Sequence, residues 1–446
     1  MAVLRAHRRG IGSLTGPLIA VGAAATVSRG AALAKDLLVA NRFGVSDALD
    51  AFLVALAVPL LVTGTVRSAV HGAFVPWLVR RRAAVGPEQA RGDAGRALGA
   101  VLAFAITIGA VLFVFAGALA ELLGSAFAPD KRRLTADLLR MLAPFVALDA
   151  VAAIWGAAMH AEERFGVPTL AGALSAIVTG LLLWTVWPTL GVALLALGMV
   201  GGAALEAATV GGALARNGRW FPPRLETPDR ALRELIVGFG TLIVGTVLMA
   251  ASPVVDQLMA ARLSAGSVAA LSFGGKISAG ILGIAAVALG TVVLPRFSRL
   301  AGEGEWGVLT RLARRIVGSV ALAGLAVALG VAAISVPVVR ALFEHGSFDT
   351  ADTAVVARIQ ALYVLQFPGH LVGLTLASLL NSLGRHRVVL ALAASSFTLN
   401  VVGNLILMRW IGVAGIALST TATYTAVAIV TALAARAELR RRRATP

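Results

Sequence analysis

Long runs of apolar residues alternate with short polar segments along almost the whole chain. A run of about 20 apolar residues can cross a bilayer as a helix. The chain has about twelve such runs, at 13–41, 48–79, 96–125, 134–158, 167–187, 190–215, 232–261, 267–295, 312–341, 353–379, 387–408 and 412–436. Glycine and proline inside the runs do not argue against helices, because neighbouring helices can satisfy the freed backbone groups. The pattern therefore predicts an all-α, polytopic membrane protein.

Composition and motifs give little support to catalytic chemistry. Hydrophobic residues make up 58% of the chain, charged residues make up 14%, and cysteine is absent. The six histidines are scattered without metal-ligand spacing, and the chain has no glycine-rich loop of the nucleotide-binding type. We expect no enzyme activity, no cofactor, and no metal centre built from histidine or cysteine.

Positive charge is concentrated on alternate loops, and the net charge of the chain is +17. The basic loops and termini include Arg5, Arg8 and Arg9, Arg80–Arg82, Arg216, Arg219 and Arg224, Arg311, Arg314 and Arg315, Arg385 and Arg387, and Arg440–Arg443. Cytoplasmic loops carry the excess of lysine and arginine, so we predict a protein of the bacterial cytoplasmic membrane with both termini in the cytoplasm. Topology and contact with anionic membrane lipids account for the charge without nucleic acid as a partner.

The two halves of the chain share repeated stretches. Residues 190–216 resemble residues 411–436, and Lys35–Arg42 resembles Val255–Arg262. Six helices in each half would make the halves parallel repeats, related by a pseudo-two-fold axis along the membrane normal. A central cleft between the two lobes is then expected.

The repeat sets the predicted domain boundaries. We expect an N-terminal six-helix lobe at 1–216 and a C-terminal six-helix lobe with a basic tail at 234–446. A cytoplasmic basic linker at 217–233 would join them, and it contains Pro222, Pro223 and Pro228.

Charged residues that could face a substrate occur inside the first and the eighth apolar runs. Arg29, Lys35 and Asp36 lie in the first run and Lys276 in the eighth. An ionised side chain near a bilayer centre costs about 2.5–3.5 kcal/mol on insertion scales, so these groups must face protein or water. Several cations with few carboxylates indicate an anionic substrate in the cleft. The alternative is that the charges pair with each other or reach the headgroups.

Several multi-residue motifs occur in the order found in one known family. In the N-terminal half they are Ser28-Arg29, Lys35-Asp36, Phe43-Gly44, Asp50–Phe52, Pro59 and Gly72–Pro76. In the C-terminal half they are Val255-Asp256, Gly266–Val268, Leu294–Ser298 and Leu342–Phe348. Over about residues 13–436, the chain resembles the MurJ/MviN lipid II flippases of the multidrug/oligosaccharidyl-lipid/polysaccharide exporter superfamily.

The resemblance implies transport of a polyprenyl-diphosphate-linked glycan to the outer leaflet by alternating access. It places basic cavity residues at Arg29, Lys35 and Lys276, with Asp36 beside them. Lysine stands at 35 and 276 where arginine is usual, and it cannot form the planar two-donor clamp of a guanidinium. A further basic position in the second helix coincides with Thr63, and Arg67, one helical turn further along, is the candidate substitute.

A coupling cation is also implied by the resemblance. Asp256, Asn400, Asn404 and Thr420 would offer hard oxygen ligands for sodium, with a proton on Asp256 as the alternative. The amides and the threonine could equally be hydrogen-bonding groups between helices.

Other intramembrane polar residues have simpler interpretations. We expect Asp50 to cap the second helix. We interpret Asp149, Glu206, Arg358 and His370 as groups that pair at helix ends or inside a lobe rather than as ligands.

Three function classes remain open at the level of sequence. A flippase is favoured by the order of the motifs and the cavity cations. A small-molecule exporter of the same superfamily would be favoured by carboxylates rather than cations in the cleft, because most such substrates are cationic. A non-transporting scaffold for cell-wall biosynthesis proteins is suggested by the uncharged Thr63. Expected partners are the lipid-linked glycan, membrane lipids and such cell-wall proteins.

Overall fold

The computed structural model describes residues 2–226 and 229–444, except for the side chains of residues 2–21, 231, 241, 242, 244, 245, 248, 249 and 444. The side chains of Arg5, Arg8 and Arg9, as well as Pro228, on which sequence predictions rest, lie outside the described residues. Within these ranges all regular structure is helical. The α-helices are α1 (Ala2–Phe43), α2 (Asp47–Ala69), α3 (Val75–Val85), α4 (Pro87–Val114), α5 (Ala116–Leu123), α6 (Pro129–His160), α7 (Gly166–Ala171), α8 (Leu174–Thr185), α9 (Ala193–Arg216), α10 (Arg230–Ala260), α11 (Ser267–Gly302), α12 (Trp306–Ala333), α13 (Ser335–Phe343), α14 (Thr350–Val364), α15 (Phe367–Ser382), α16 (His386–Ile411) and α17 (Val413–Ala444).

The helices confirm the predicted fold class. In the described part of the chain, ten helical stretches are long and apolar enough to cross a membrane. The long helices α1 and α10, of 42 and 31 residues, correspond to the first and seventh predicted segments. The protein is thus an all-α, multi-pass membrane protein, and each predicted segment corresponds to a helix or to a pair of consecutive helices.

Proline explains two of the interruptions. A π-helical turn at Val70–Phe74 separates α2 from α3, and the amide of Val75 donates to the carbonyl of Val70. Pro76 follows at once and has no amide hydrogen for a regular helical bond, which favours a wider turn before it. Pro368 likewise follows the break between α14 and α15. The sequence pattern predicted single segments at both places.

The chain divides into two compact units. Unit 1 comprises Met1–Phe43 and Ala51–Ala250, and unit 2 comprises Gly44–Asp50 and Ala251–Pro446. The predicted linker contains no helix between Arg219 and Glu226. It lies on unit 1, where the amide of Arg224 donates to the carbonyl of Gly95 at 2.9 Å. The lobe boundaries drawn from the sequence stay a prediction.

Helices α8 and α9 of unit 1 pack closely because two glycines of α9 leave room. A Cβ atom added at Gly198 would lie 2.7 Å from the Cα of Thr179, and one added at Gly202 would lie 2.8 Å from the Cβ of Ser175. Small residues at this spacing allow helix backbones to approach closely in a membrane. This contact holds α9, which carries Glu206, in place.

Asp50 has a different role from the one predicted. Its carboxylate accepts hydrogen bonds from the amides of Gly266 and Ala269, both at 2.8 Å, and therefore caps the N-terminus of α11 in unit 2. The prediction that it caps the second helix was wrong, because the free amides of α11 lie within reach and attract a carboxylate in the same way. The residue is buried, and it helps to fix the helix that carries Lys276.

Candidate functional site

A cavity of about 470 Å³ with many polar side chains among its lining residues lies within unit 2. Its polar lining comes from α10, α11, α16, α17 and the region of α14 and α15. The residues are Ser252, Asp256, Gln257, Ser272, Lys276, Ser278, Tyr363, Gln366, His370, Ser396, Asn400, Thr420, Thr423 and Tyr424. The cavity therefore brings together two predictions that the sequence treated separately, the substrate cation Lys276 and the oxygen ligands of a coupling cation.

The four predicted oxygen-bearing residues form one buried group. Asn404 Nδ2 donates to Asp256 Oδ1 at 2.6 Å and to Asn400 Oδ1 at 3.4 Å. Asn400 Nδ2 donates to Thr420 Oγ1 at 3.3 Å. Helices α10, α16 and α17 supply these residues, and all four are buried. The structure thus places the four side chains together, and their use by a cation stays a prediction.

The chemistry of this group fits a monovalent cation. Asn404 Oδ1 is buried and has no hydrogen-bond partner among the described residues. A half-turn of the Asn404 amide about χ2 would exchange its oxygen and nitrogen. The amide oxygen of Asn404 would then face the carboxylate oxygen of Asp256 and the amide oxygen of Asn400. Facing acceptors without a donor are unfavourable unless a cation lies between them. A single carboxylate suits a single positive charge.

Lys276 lies on α11 in the same cavity. Its Nζ is 5.4 Å from the centroid of the Phe273 ring. His370 and Tyr424 also line the cavity, and their ring centroids are 4.3 Å apart in an edge-to-face contact. His370 Nδ1 and Ser278 Oγ are buried without hydrogen-bond partners in the described structure, so polar atoms remain available to a ligand or water.

Sequence reasoning missed much of this lining. Gln366, Tyr424 and Ser278 were not singled out, and His370 was interpreted only as a pairing group. The usable signal is that each is a polar residue inside an otherwise apolar segment. Their convergence depends on contacts between distant helices, which no local pattern reveals.

The cations predicted in the first helix lie in unit 1. Lys35 Nζ forms an ion pair with Asp36 Oδ1 at 2.7 Å. Arg29 is exposed on α1, and the neighbouring Ser28 Oγ donates to the carbonyl of Thr169 at 2.7 Å. The pairing alternative therefore describes Lys35 and Asp36, while Arg29 presents its guanidinium on the surface of the unit.

Arg67 is held inside unit 1 by two carboxylates. Its Nη2 lies 2.6 Å from Asp149 Oδ1 and 2.9 Å from Glu206 Oε1. The prediction that Asp149 and Glu206 pair inside a lobe is confirmed. Thr63 is buried, and its hydroxyl donates to the carbonyl of Leu60 at 3.3 Å. The substrate role predicted for Arg67 is untested, but its guanidinium already has anionic partners.

The helical architecture resembles that of solved membrane transporters. The chain superimposes on a solved lipid II flippase MurJ in an inward closed conformation with a TM-score of 0.80, at 19% identity, covering 94% of this chain and 87% of that one. An inward-facing multidrug resistance MATE transporter of the MOP superfamily matches with a TM-score of 0.77 at 16% identity, covering 93% and 94%. These similarities establish the fold.

The family follows from sequence. Residues 39–443 match the family model described as lipid II flippase MurJ, so the chain belongs to this family. A lipid II flippase MurJ from Burkholderia cenocepacia is 26% identical over 90% of this chain and 80% of its own length. A probable lipid II flippase MurJ from Thermotoga maritima is 25% identical over the same shares, 90% and 80%. The family comprises transporters rather than enzymes.

Proposed function

We propose that this protein moves a polyprenyl-diphosphate-linked glycan, lipid II or a related cell-wall or polysaccharide precursor, from the inner to the outer leaflet. The mechanism is alternating access. The observation that carries the proposal is the family match over residues 39–443. The substrate anion would bind Arg29, Lys35 and Lys276, since a diphosphate needs several cationic donors where water is scarce.

Rescue of a cell depleted of its own lipid II flippase is the first test. We expect the gene to restore growth and to restore exposure of lipid II at the outer leaflet. Purified protein in proteoliposomes should then expose labelled lipid II to an impermeant modifying enzyme. Failure in both assays, with folded protein present in the membrane, would contradict the assignment of lipid II.

The identity of the glycan is a separate question, because lysine replaces arginine at positions 35 and 276. A point charge on a flexible stem binds phosphate with less geometric selectivity than a guanidinium. We expect the protein to accept lipid-linked glycans with different sugars and the same diphosphate. Competition between lipid II and another polyprenyl-diphosphate glycan in the proteoliposome assay measures this selectivity.

A scaffold role is the second candidate. It is favoured by the uncharged, buried Thr63 and by the carboxylate partners of Arg67, which leave the second helix without an uncommitted cation. A scaffold would associate with cell-wall biosynthesis proteins and would show no flipping in proteoliposomes. Copurification without transport is the outcome that selects it.

For energy coupling we propose a monovalent cation at Asp256, Asn400, Asn404 and Thr420. The hydrogen-bonded geometry of these residues and the partnerless Asn404 Oδ1 support the proposal. Sodium is the first candidate and a proton on Asp256 the alternative. Isothermal titration of sodium into the purified protein distinguishes them, because only the first predicts saturable sodium binding at constant pH.

The protein is placed by this proposal in the bacterial cytoplasmic membrane, with both termini in the cytoplasm. The family match and the long apolar helices support membrane insertion, and the basic loops support the orientation.

A further inference from the structure

The buried carboxylates of this protein differ in how many arginines they face. Among the residues that the structure describes, three carboxylates each have two arginine partners: Asp93 with Arg81 and Arg96, Glu162 with Arg82 and Arg219, and Glu438 with Arg385 and Arg442. Each of these carboxylates has two cations within ion-pair distance, although Arg96 also pairs with the more exposed Glu226 and Asp229. Two cations beside a buried carboxylate favour its charged form.

The cluster around Arg67 has the opposite ratio of arginines to carboxylates, because one arginine faces two carboxylates. Arg67 Nε lies 3.0 Å from both oxygens of Asp149, and Nη2 lies 2.6 Å from Asp149 Oδ1. The same Nη2 donates to Glu206 Oε1 at 2.9 Å. Asp149 is 4% exposed and Glu206 is 6% exposed. With both acids ionised, the cluster would hold a net charge of −1 inside a membrane-spanning unit.

No other charge among the described residues compensates this excess. The charged groups that act on Glu206 are Arg67 on α2 and Asp149 on α6. Helices α7 and α8, which also pack on α9, contain no ionisable side chain. His71 bonds the main-chain carbonyl of Arg67 at 2.8 Å rather than either carboxylate. An uncompensated buried charge costs several kcal/mol, so a positive ligand is expected.

We propose that Glu206 is a proton-binding site in unit 1, distinct from the group around Asp256 in unit 2. Asp149 accepts three of the four hydrogen bonds that Arg67 makes to the pair, and Glu206 accepts one. The guanidinium of Arg67 is therefore directed mainly at Asp149, and Glu206 is the carboxylate that takes the proton, on the oxygen that does not face Arg67. A metal cation is disfavoured, because it needs several oxygens and the guanidinium already occupies those of Asp149.

Proton binding here would change the link between three helices. Protonated Glu206 accepts a hydrogen bond from Arg67 and leaves the cluster neutral, whereas ionised Glu206 competes with Asp149 for the same guanidinium nitrogen. The connection from α9 to α2 and α6 would therefore depend on pH. This inference rests on geometry and charge in unit 1 and does not require lipid II to be the substrate.

Infrared spectroscopy of the full-length protein in lipid nanodiscs tests the proposal directly, since only protonated carboxyl groups give a C=O stretching band at high frequency. Spectra would be recorded from about pH 5 to about pH 9, a range in which exposed carboxyl groups are ionised over almost its whole extent. We expect a carboxyl band that disappears as the pH rises and that is absent in Glu206→Gln. Glutamine has the shape of protonated glutamate, so this variant should fold.

Two matched variants assign the band. Glu438→Gln removes a buried glutamate that faces two arginines, and it should leave the band unchanged. Asp256→Asn removes the buried carboxyl group of unit 2 and should also leave it. Arg67→Gln should move the titration midpoint upward by about one pH unit or more, because a cation that favours ionised Glu206 is lost. Carbon-13 labelling of glutamate carboxyl groups separates glutamate from aspartate bands in the unsubstituted protein.

The outcomes are distinct from those of the transport proposal. A pH-dependent band lost only in Glu206→Gln supports the site, whether or not the protein flips lipid II. Absence of any band specific to Glu206 across the pH range overturns it. A band that responds to sodium at constant pH, and not to pH at constant sodium, would also overturn it in favour of a metal cation.

Discussion

At the scale of single residues, the cations inside the apolar helices differ in whether a carboxylate pairs with them. Lys35 has Asp36 at 2.7 Å, and Arg67 has two carboxylates. Arg29 is exposed, and Lys276 lines a cavity beside a phenylalanine ring. A cation already paired with a carboxylate contributes less to binding an external anion, because the pair must first separate. Arg29 and Lys276 are therefore the stronger substrate ligands.

This difference predicts a graded response to substitution. Arg29→Ala and Lys276→Ala should each lower flipping of lipid II by about 10- to 100-fold, the equivalent of one charge-assisted hydrogen bond of roughly 1.5–3 kcal/mol. Lys35→Ala should have a smaller effect, and Lys276→Arg should retain transport because the charge remains. The measurement is the initial flipping rate in proteoliposomes with equal amounts of folded protein.

Arg133→Ala is the control, since the Arg133 side chain is 82% exposed and pairs with the exposed Asp130. It should flip at the parent rate. Parent rates in the Arg29, Lys35 and Lys276 alanine variants together would show that these cations do not bind the substrate.

The amide of Asn404 suggests a second prediction at this scale. Asp256→Asn removes the only formal charge among the four proposed ligands and should abolish dependence of transport on a sodium gradient. Asn404→Asp replaces the donor that lies 2.6 Å from Asp256 by a second carboxylate, and it should tighten sodium binding roughly tenfold. Sodium titration calorimetry, with potassium as the reference salt, measures both effects.

Two facing carboxylates repel each other without a cation. Thermal unfolding of Asn404→Asp should therefore shift upward in sodium by more than that of the parent. An Asp256→Asn protein that keeps the parent's sodium response would remove this group from the coupling mechanism. The membrane potential acting on the cavity cations would then be the remaining driving force.

At the scale of helices, the glycines of α9 give a prediction with an internal control. Gly202→Ala places a methyl group against Ser175 on α8, where the added Cβ would lie 2.8 Å from the serine Cβ. Overpacking of this kind costs about 1–3 kcal/mol of unfolding free energy. Gly212→Ala, on the same helix with no atom within 4 Å of the added Cβ, should instead be neutral or stabilising by up to about 1 kcal/mol. Thermal unfolding in detergent compares the two variants. Equal stability would mean that α8 shifts to accommodate the methyl group without loss of unfolding free energy.

Helices were the part of the structure most accessible to sequence reasoning. Runs of apolar residues long enough to span a bilayer have few alternatives to a helix, so each predicted segment has its counterpart. The π-helical turn before Pro76 and the cap that Asp50 provides to α11 were missed. Both depend on which amides lie within reach in the folded chain, and Asp50 and Gly266 are far apart in sequence. Local patterns carry no such information.

At the scale of the whole molecule, the internal repeat agrees with the order of the helices. The stretches 190–216 and 411–436 fall on α9 and α17, and Lys35–Arg42 and Val255–Arg262 fall near the ends of α1 and α10. The residues of the candidate cation group were proposed from sequence because the family resemblance implies a cation site in the C-terminal half and Asp256 lies in one of the family motifs. The cavity that contains both this group and Lys276 could be recognised only from three-dimensional contacts. The same holds for the two carboxylates that face the single guanidinium of Arg67.

The orientation of the whole chain in the membrane is the last prediction. The basic loops predict that the connections after α9 and after α11 are cytoplasmic, whereas those before α6 and before α14 face outward. Because the chain has no cysteine, single cysteines can be introduced at Asn217, Glu303, Asp130 and Ser347, all of which are exposed in the structure. In intact cells an impermeant thiol reagent should label positions 130 and 347, and it should reach 217 and 303 only after the membrane is opened. All four side chains are exposed in the folded protein, so differences in labelling report the side of the membrane rather than local burial. Labelling of positions 217 and 303 from outside would invert the topology and place the arginine clusters away from the anionic cytoplasmic leaflet.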